Sequence, residues 1–385
     1  MDARTSTPLY FDYAAATPMD SAVFAAMQPY FTEQFYNPSA TYLSAQSVKK
    51  DLDAARARIA NWLGARPSEI VFTAGGTEAN NLAVHGIMRQ YPEGNIVTSA
   101  IEHEAVLQPA AQYRHKEAPV DFDGIIDLDK LRALIDDQTV LVSVMYANNE
   151  VGSIQPIRQI AQLLDQVRRD RRKRGVAQPL YFHTDACQAA AYLDLHTARL
   201  GVDLLTLNAG KIYGPKQSGA LFVSAKVHLQ PDIVGGGQER GIRSGTENIA
   251  AAVGFAKALD LVQTRRHEEA ARMQLLQKKL ISELETAFSE VVINGSRKHR
   301  LPNNVHITLP GQDNERLLMA LDEVGILCAA GSACSASSDE PSHVLRAMSL
   351  SDSEARASLR FTMGRQTDEA AVETLVHALT QIAKQ

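Results

Sequence analysis

Phe182-His183-Thr184-Asp185-Ala186-Cys187-Gln188 and, further on, Asn208-Ala209-Gly210-Lys211-Ile212-Tyr213-Gly214-Pro215-Lys216 carry the architecture of this chain. The first closes an apolar run on an acid, with an amide three residues later. The second is a turn in which a lysine stands among small residues before a Gly-Pro stop. Both follow runs of strand length rich in apolar and β-branched residues. Similar runs lie at 69–73, 95–99, 141–146, 180–184, 204–207 and 219–224, separated for the most part by stretches of helical period. From about residue 47 to 245 this alternation predicts βαβ units around a mainly parallel sheet. In such sheets ligands bind beyond the carboxyl ends of the strands, so the polar residues that close each run converge on one crevice.

A helical stretch over 247–288 leaves the alternating region, and the pattern then mixes short strands, such as 304–308, with helices. The change predicts an α/β large domain over residues 16–261 and a smaller α+β domain formed by 1–15 with 262–385. At 385 residues the chain is long enough for two cores. Acidic residues outnumber basic ones 44 to 39, so no general attraction to nucleic acid or an anionic membrane is expected. Cys187, Cys328 and Cys334 lack the spacing of zinc ligands, and no metal site is expected. Cys328 lies in an apolar run and is read as a core residue. No apolar stretch approaches the roughly 20 residues of a membrane span, and no signal core follows Met1-Asp2-Ala3-Arg4-Thr5, so a soluble cytoplasmic protein is expected. The basic run Val167-Arg168-Arg169-Asp170-Arg171-Arg172-Lys173-Arg174-Gly175 reads as a solvated helix end, where cations complement the helix dipole.

Three segments carry candidate chemistry. Ile70-Val71-Phe72-Thr73-Ala74-Gly75-Gly76-Thr77-Glu78 runs from a strand through two glycines into a helix, offering backbone N–H groups and the Thr77 hydroxyl to an anion. Asp185 at a strand end can hold a heteroaromatic ring nitrogen protonated, and Gln188 can donate to an oxygen on the same ring. Lys211 can bond an aldehyde carbon as its free amine. Taken singly, each has a plainer explanation: a packing turn, a helix-capping acid, a surface lysine. Their order, phosphate turn, ring acid and then lysine, is the layout required to hold pyridoxal phosphate.

The chain resembles the class V branch of fold type I pyridoxal phosphate enzymes, and within it the long-loop cysteine desulfurases used in iron–sulfur cluster assembly. The resemblance runs from Tyr10-Phe11-Asp12-Tyr13-Ala14-Ala15 to Arg360-Phe361-Thr362-Met363-Gly364-Arg365. Between these it includes Glu102-His103, Asn148-Asn149-Glu150-Val151-Gly152, the Lys211 turn, Gly235-Gly236-Gly237-Gln238-Glu239-Arg240-Gly241 and Arg243-Ser244-Gly245-Thr246. It implies that Gly76 and Thr77 meet the phosphate, His103 stacks on the ring and carries protons, and Asp185 and Gln188 hold the ring's nitrogen and oxygen. Asn208 would lie beside the phosphate, and Asn149 and Arg360 would take the substrate carboxylate. Thr246 would reach the cofactor of the other protomer in a homodimer with shared sites.

Gly331-Ser332-Ala333-Cys334-Ser335-Ala336-Ser337-Ser338 sets one thiol among small residues. The resemblance implies that Cys334 takes sulfur from L-cysteine, leaving L-alanine, and passes its persulfide to an acceptor protein in cluster assembly or tRNA thiolation. The pattern departs from most relatives at Asn208 and Gly210, which stand where serine and histidine are usual, and at Gln238, where histidine is common. Asn208 would then donate through its amide and Gly210 through its backbone N–H. Alternatives within the same fold are a selenocysteine lyase or an aminotransferase, and outside catalysis a cofactor-poor partner-binding relative.

Overall fold

Twelve strands build the sheets of the computed structural model, which describes residues 8–331 and 340–384. They are β1 (Leu9–Tyr10), β2 (Ile70–Thr73), β3 (Asn95–Ser99), β4 (Arg114–Ala118), β5 (Thr139–Ser143), β6 (Tyr181–Asp185), β7 (Leu204–Asn208), β8 (Gly219–Val223), β9 (Val292–Ile293), β10 (Asn304–Thr308), β11 (Ile326–Leu327) and β12 (Ser358–Thr362). Seven of them form the central sheet in the order β2-β8-β7-β6-β5-β3-β4. The β4-β3-β5-β6-β7 pairings are parallel, and β8 runs antiparallel to both of its neighbours. β3, β5 and β8 are buried along their whole length, as expected for a sheet covered on both faces. The carboxyl ends of β2, β3, β5, β6 and β7 therefore share one edge.

The strand expected at 141–146 runs over Thr139–Ser143, and the chain beyond it turns out of the sheet toward the pocket. β4 has no counterpart in the sequence reading. Its sequence, Arg-His-Lys-Glu-Ala, lacks strand alternation because it is an edge strand, where charges discourage pairing with another chain.

Helical stretch 247–288 is two helices, Ile249–Thr264 and Arg266–Ala287, broken at Arg265 (φ −95°, ψ 5°). Packing is the cause. The first helix buries Phe255, Leu259 and Val262 with the sheet-side core, whereas the second buries Met273, Leu276, Leu280 and Leu284 in another. No apolar residue in Thr264-Arg265-Arg266 holds the axis straight. The second core adds the antiparallel sheet β12-β10-β9 and the helix Glu369–Ala383. It also takes in Phe11, because β1 pairs in parallel with β11 through Leu9 and Ile326. Cys328 is only partly buried, packed at the edge of this core, and burial still pushes its thiol up to about 12.

The basic run does end a helix, Ile157–Lys173, but only part of it is solvated. Arg171 is buried and donates to the carbonyls of Asp136 and Thr139, while Arg168 pairs with the buried Asp203 and Arg174 with Asp137. Those arginines tie the helix end to neighbouring strand ends, leaving Arg169, Arg172 and Lys173 exposed.

Candidate active site

A cavity of about 180 Å³ opens at the shared edge, lined by Ala14, Ala15, Gly76, Thr77, Asn80, His103, Met145, Asn149, Asp185, Cys187, Gln188, Asn208, Lys211 and Arg360. It brings together the site residues expected from the sequence except Thr246, Cys334 and the Gly210 backbone donor. Thr246 lines a separate hollow with Lys216, Arg243 and Asn248. Cys334 lies outside the described residues.

β6 delivers Asp185 to the floor. Its Oδ2 accepts from Asn80 Nδ2 at 2.6 Å and its Oδ1 from the Cys187 N–H at 2.9 Å, which fixes the carboxylate in the pocket wall. Asn80 is a positioning residue the sequence reading missed. It follows Thr77 by three residues, on the same face of the helix Gly76–Met88, and that spacing was the available signal. Burial and the neighbouring Asp185 push the Cys187 thiol well above its ordinary value, which favours the neutral thiol.

The turn before that helix needs its glycines. Gly75 has φ +148°, and a Cβ on Gly76 would meet Cys187 Sγ at 2.9 Å. The first bond of the helix is made by the Ala79 N–H to the Gly75 carbonyl, so the N–H groups of Gly76, Thr77 and Glu78 are left to an outside acceptor.

β7 ends in Asn208 and passes into the Lys211 turn. Asn208 Oδ1 accepts from the Gly210 N–H at 3.0 Å, so the Gly210 backbone donor expected for the phosphate is engaged instead in capping the turn. The amide nitrogen of Asn208 faces the glycine turn, 3.4 Å from where a Gly76 Cβ would sit. Lys211 Nζ donates to the carbonyls of Ala14 and Ala15 at 2.9 and 2.7 Å, and Gln188 Nε2 to Ala14 at 3.0 Å. Gln188 is thus partly committed to the backbone, although it still lines the cavity.

On the opposite wall, His103 caps the helix Glu104–Ala110, its Nδ1 accepting from the Ala105 N–H at 3.0 Å. The neutral ring therefore carries its proton on Nε2. Burial is the main cause lowering its pKa and Lys211 adds to it, against the opposing pull of Asp185. Arg360, at 1% exposure, donates from Nη2 to Asp12 Oδ1 at 2.6 Å and from Nη1 to the Asn149 carbonyl at 3.0 Å. The expected carboxylate-binding arginine is therefore also a buried ion pair, and Asp12 is a partner the sequence reading did not assign. Arg360 Nε is buried with no acceptor among the described residues.

The chain matches known proteins along nearly its whole length. The aminotransferase class-V family covers residues 9–375. A cysteine desulfurase IscS from Clostridium botulinum is 40% identical over 387 residues, spanning 98% of this chain and 94% of that one. The chain belongs to the class-V aminotransferase family. Among solved structures, a NifS-like protein superposes with a TM-score of 0.90 at 30% identity, covering 98% of this chain and all of that one. A structure of SspA in complex with cysteine gives 0.80 at 32% identity, over 92% and 98% of the two chains.

Class-V enzymes work with pyridoxal 5′-phosphate, and the donor set of this cavity fits that group. The glycine turn with Thr77 and Asn208 suits a phosphate, the pinned Asp185 a ring nitrogen, and Lys211 an aldehyde. Gly76 leaves clear the space that a Cβ would fill. Among the described residues no three His, Cys, Asp or Glu side chains gather as metal ligands, and no helix is long and apolar enough to cross a membrane.

Proposed function

We propose that this class-V enzyme is a cysteine desulfurase: L-cysteine and the Cys334 thiol give L-alanine and a persulfide on Cys334. The observation that carries the reading is one cavity holding a lysine amine, a pinned acid and a buried arginine, whose borders continue into both ends of the segment that contains Cys334. On one side Ala329 pairs with Arg360 through both backbone bonds. On the other, Ser342 Oγ donates to Glu150 Oε2 at 2.6 Å, one residue from Asn149.

When bound, pyridoxal phosphate supplies the electron sink for the electron pair released at the substrate's α-carbon. Asp185 would hold the ring nitrogen protonated, Gln188 would meet the ring oxygen, and Gly76, Thr77 and Asn208 would hold the phosphate. Arg360 and Asn149 orient the substrate carboxylate. Lys211 Nζ removes the α-proton, drawing on an amine already placed by the Ala14 and Ala15 carbonyls. Cys334 attacks the substrate sulfur, an S–S bond forms as the C–S bond breaks, and the carbon left behind takes a proton, for which His103 Nε2 is the nearby carrier.

The chain acts as a homodimer in this reading, with Thr246 serving the other protomer's cofactor. Support comes from its place outside the cavity and from exposed Phe35 and Tyr42, which pack on the half-buried Tyr36, with Phe24, Phe31 and Leu43 exposed in the same segment. Residues 16–261 form the cofactor domain, and 1–15 with 262–385 the domain that brings Cys334. The enzyme is cytoplasmic and hands sulfur to an acceptor protein in cluster assembly or tRNA thiolation.

The test is release of alanine and sulfide from L-cysteine by wild type and Cys334→Ala. Wild type should yield both and the variant neither. An equally active variant, or pyruvate or glutamate in place of alanine, overturns the assignment.

A further inference from the structure

His343 opens the helix His343–Ala347, the first element after the segment that contains Cys334. Its imidazole reaches the segment around His103, which lines the cavity. Nε2 lies 2.9 Å from the Glu102 carbonyl oxygen, and Nδ1 lies 3.7 Å from Glu104 Oε1. Those residues flank His103, so the ring bonds the backbone just before the expected proton carrier and lies beside the carboxylate just after it. A carbonyl can only accept, so Nε2 carries a proton in this contact.

The surroundings make His343 an anchor rather than a chance contact. Ser342 caps the same helix and donates to Glu150, which is buried. Val344, Leu345 and Met348 pack with Ile101, Met145 and Val151 in a separate apolar cluster. Met145 lines the cavity, and its N–H is fixed by Glu102 Oε1 at 2.6 Å. The Glu102 side chain is therefore bound to the Met145 wall while its carbonyl is bound to His343. Burial raises Glu102 well above the ordinary carboxylate range, which favours a neutral acid that does not repel the nearby Asp185.

We propose that His343 is a positioning residue that holds the helix following Cys334 against the His103 turn, so that thiol delivery and proton return occur in one frame. This rests on the desulfurase reading. The ring is partly exposed and is not among the residues lining the cavity. Its loss should therefore slow the chemical step without weakening substrate binding.

The experiment compares wild type, His343→Ala and His343→Gln as holoenzymes, reading alanine formation against L-cysteine concentration together with the visible absorbance of the bound cofactor. His343→Ala should lower kcat about tenfold, the scale of one well-placed hydrogen bond, with KM and the absorbance unchanged. His343→Gln, whose amide can still donate to the Glu102 carbonyl, should recover to within about threefold of wild type. The inference is overturned if His343→Ala stays within twofold of wild type, if KM or cofactor absorbance moves instead of kcat, or if His343→Gln is as slow as His343→Ala. A wild type that forms no alanine overturns the desulfurase reading and this inference together, and so is told apart from those outcomes.

Discussion

Asp185 and Arg360 are two buried charged side chains in the same cavity, held in opposite ways. Asp185 stands at the end of a central parallel strand and is pinned by an amide from the next wall and by its own following turn. Arg360 stands in the second core's sheet and is held by Asp12 and by the carbonyl of Asn149, 348 and 211 residues away in sequence. The floor of the cavity is thus made by one sheet whose strand ends share an edge. Its rim is made where the second core docks through Arg360 and Ala329, and where the helix His343–Ala347 packs through its own apolar cluster. The floor carries the residues proposed for the cofactor, and the rim those proposed to place the substrate.

Asp185→Asn strikes the floor and should cost the most. It removes the only carboxylate lining the cavity among the described residues and sets two amides facing each other at Asn80. Alanine formation should fall about 10³-fold with L-cysteine still able to perturb the cofactor spectrum. A loss confined to KM would mean that Asp185 belongs functionally with the rim.

Acid sensitivity separates the two cores next. His183 is buried between Ser143 and Thr206 under the floor, and burial depresses its pKa to about 4. His306, beside Asn294 in the second core, is depressed to about 3 by burial and then by Arg360. Both fold as neutral rings. Between an unfolded value near 6.5 and these folded values, the unfolded chain binds protons that the folded chain does not, so stability is lost as pH falls. Replacing His183 by Gln should remove on the order of 3 kcal/mol of that loss between pH 7 and pH 4, measured as the difference in slope of denaturation midpoint against pH. His306→Gln should flatten the same curve. If acid unfolding of wild type proceeds in two steps and each variant alters a different one, the cores are separable. A single step altered by both would join them.

Arg360→Lys acts on the rim. A lysine keeps the charge and can still pair with Asp12, but loses the planar fork and the Nε donor. KM for L-cysteine should rise roughly tenfold to thirtyfold with kcat within about threefold, read from initial rates. A matching fall in kcat would show that the arginine also orders the floor. The smallest effect belongs to Asn208→Ala, which frees the Gly210 N–H as it removes one amide donor. Cofactor retention on dialysis should weaken by only about threefold, because one donor replaces another.

Sequence legibility follows the same division. Lys211, Asp185 and the glycine turn sit at or just past strand ends, each with a local signal that survives without the fold, whereas His103 was singled out only by the family resemblance. Asn80, the carbonyls of Ala14 and Ala15, and the Asp12 partner of Arg360 were not legible, because their roles exist only through contacts with distant segments. The break at Arg265 escaped for a related reason. Helical period describes one face at a time, and only the two cores tell that face to turn.

The sequence by itself determined the alternating α/β layout, the order of phosphate turn, ring acid and lysine, and the family resemblance that singled out Cys334. Those are properties of short segments, governed by periodicity, turn chemistry and residue type. Only the tertiary structure decided that Arg360 is an ion pair as well as a candidate ligand, and that His343 bonds the Glu102 carbonyl beside His103. Hydrogen bonds and buried charges are settled by whichever partner packing brings within reach, and that partner can lie anywhere in the chain.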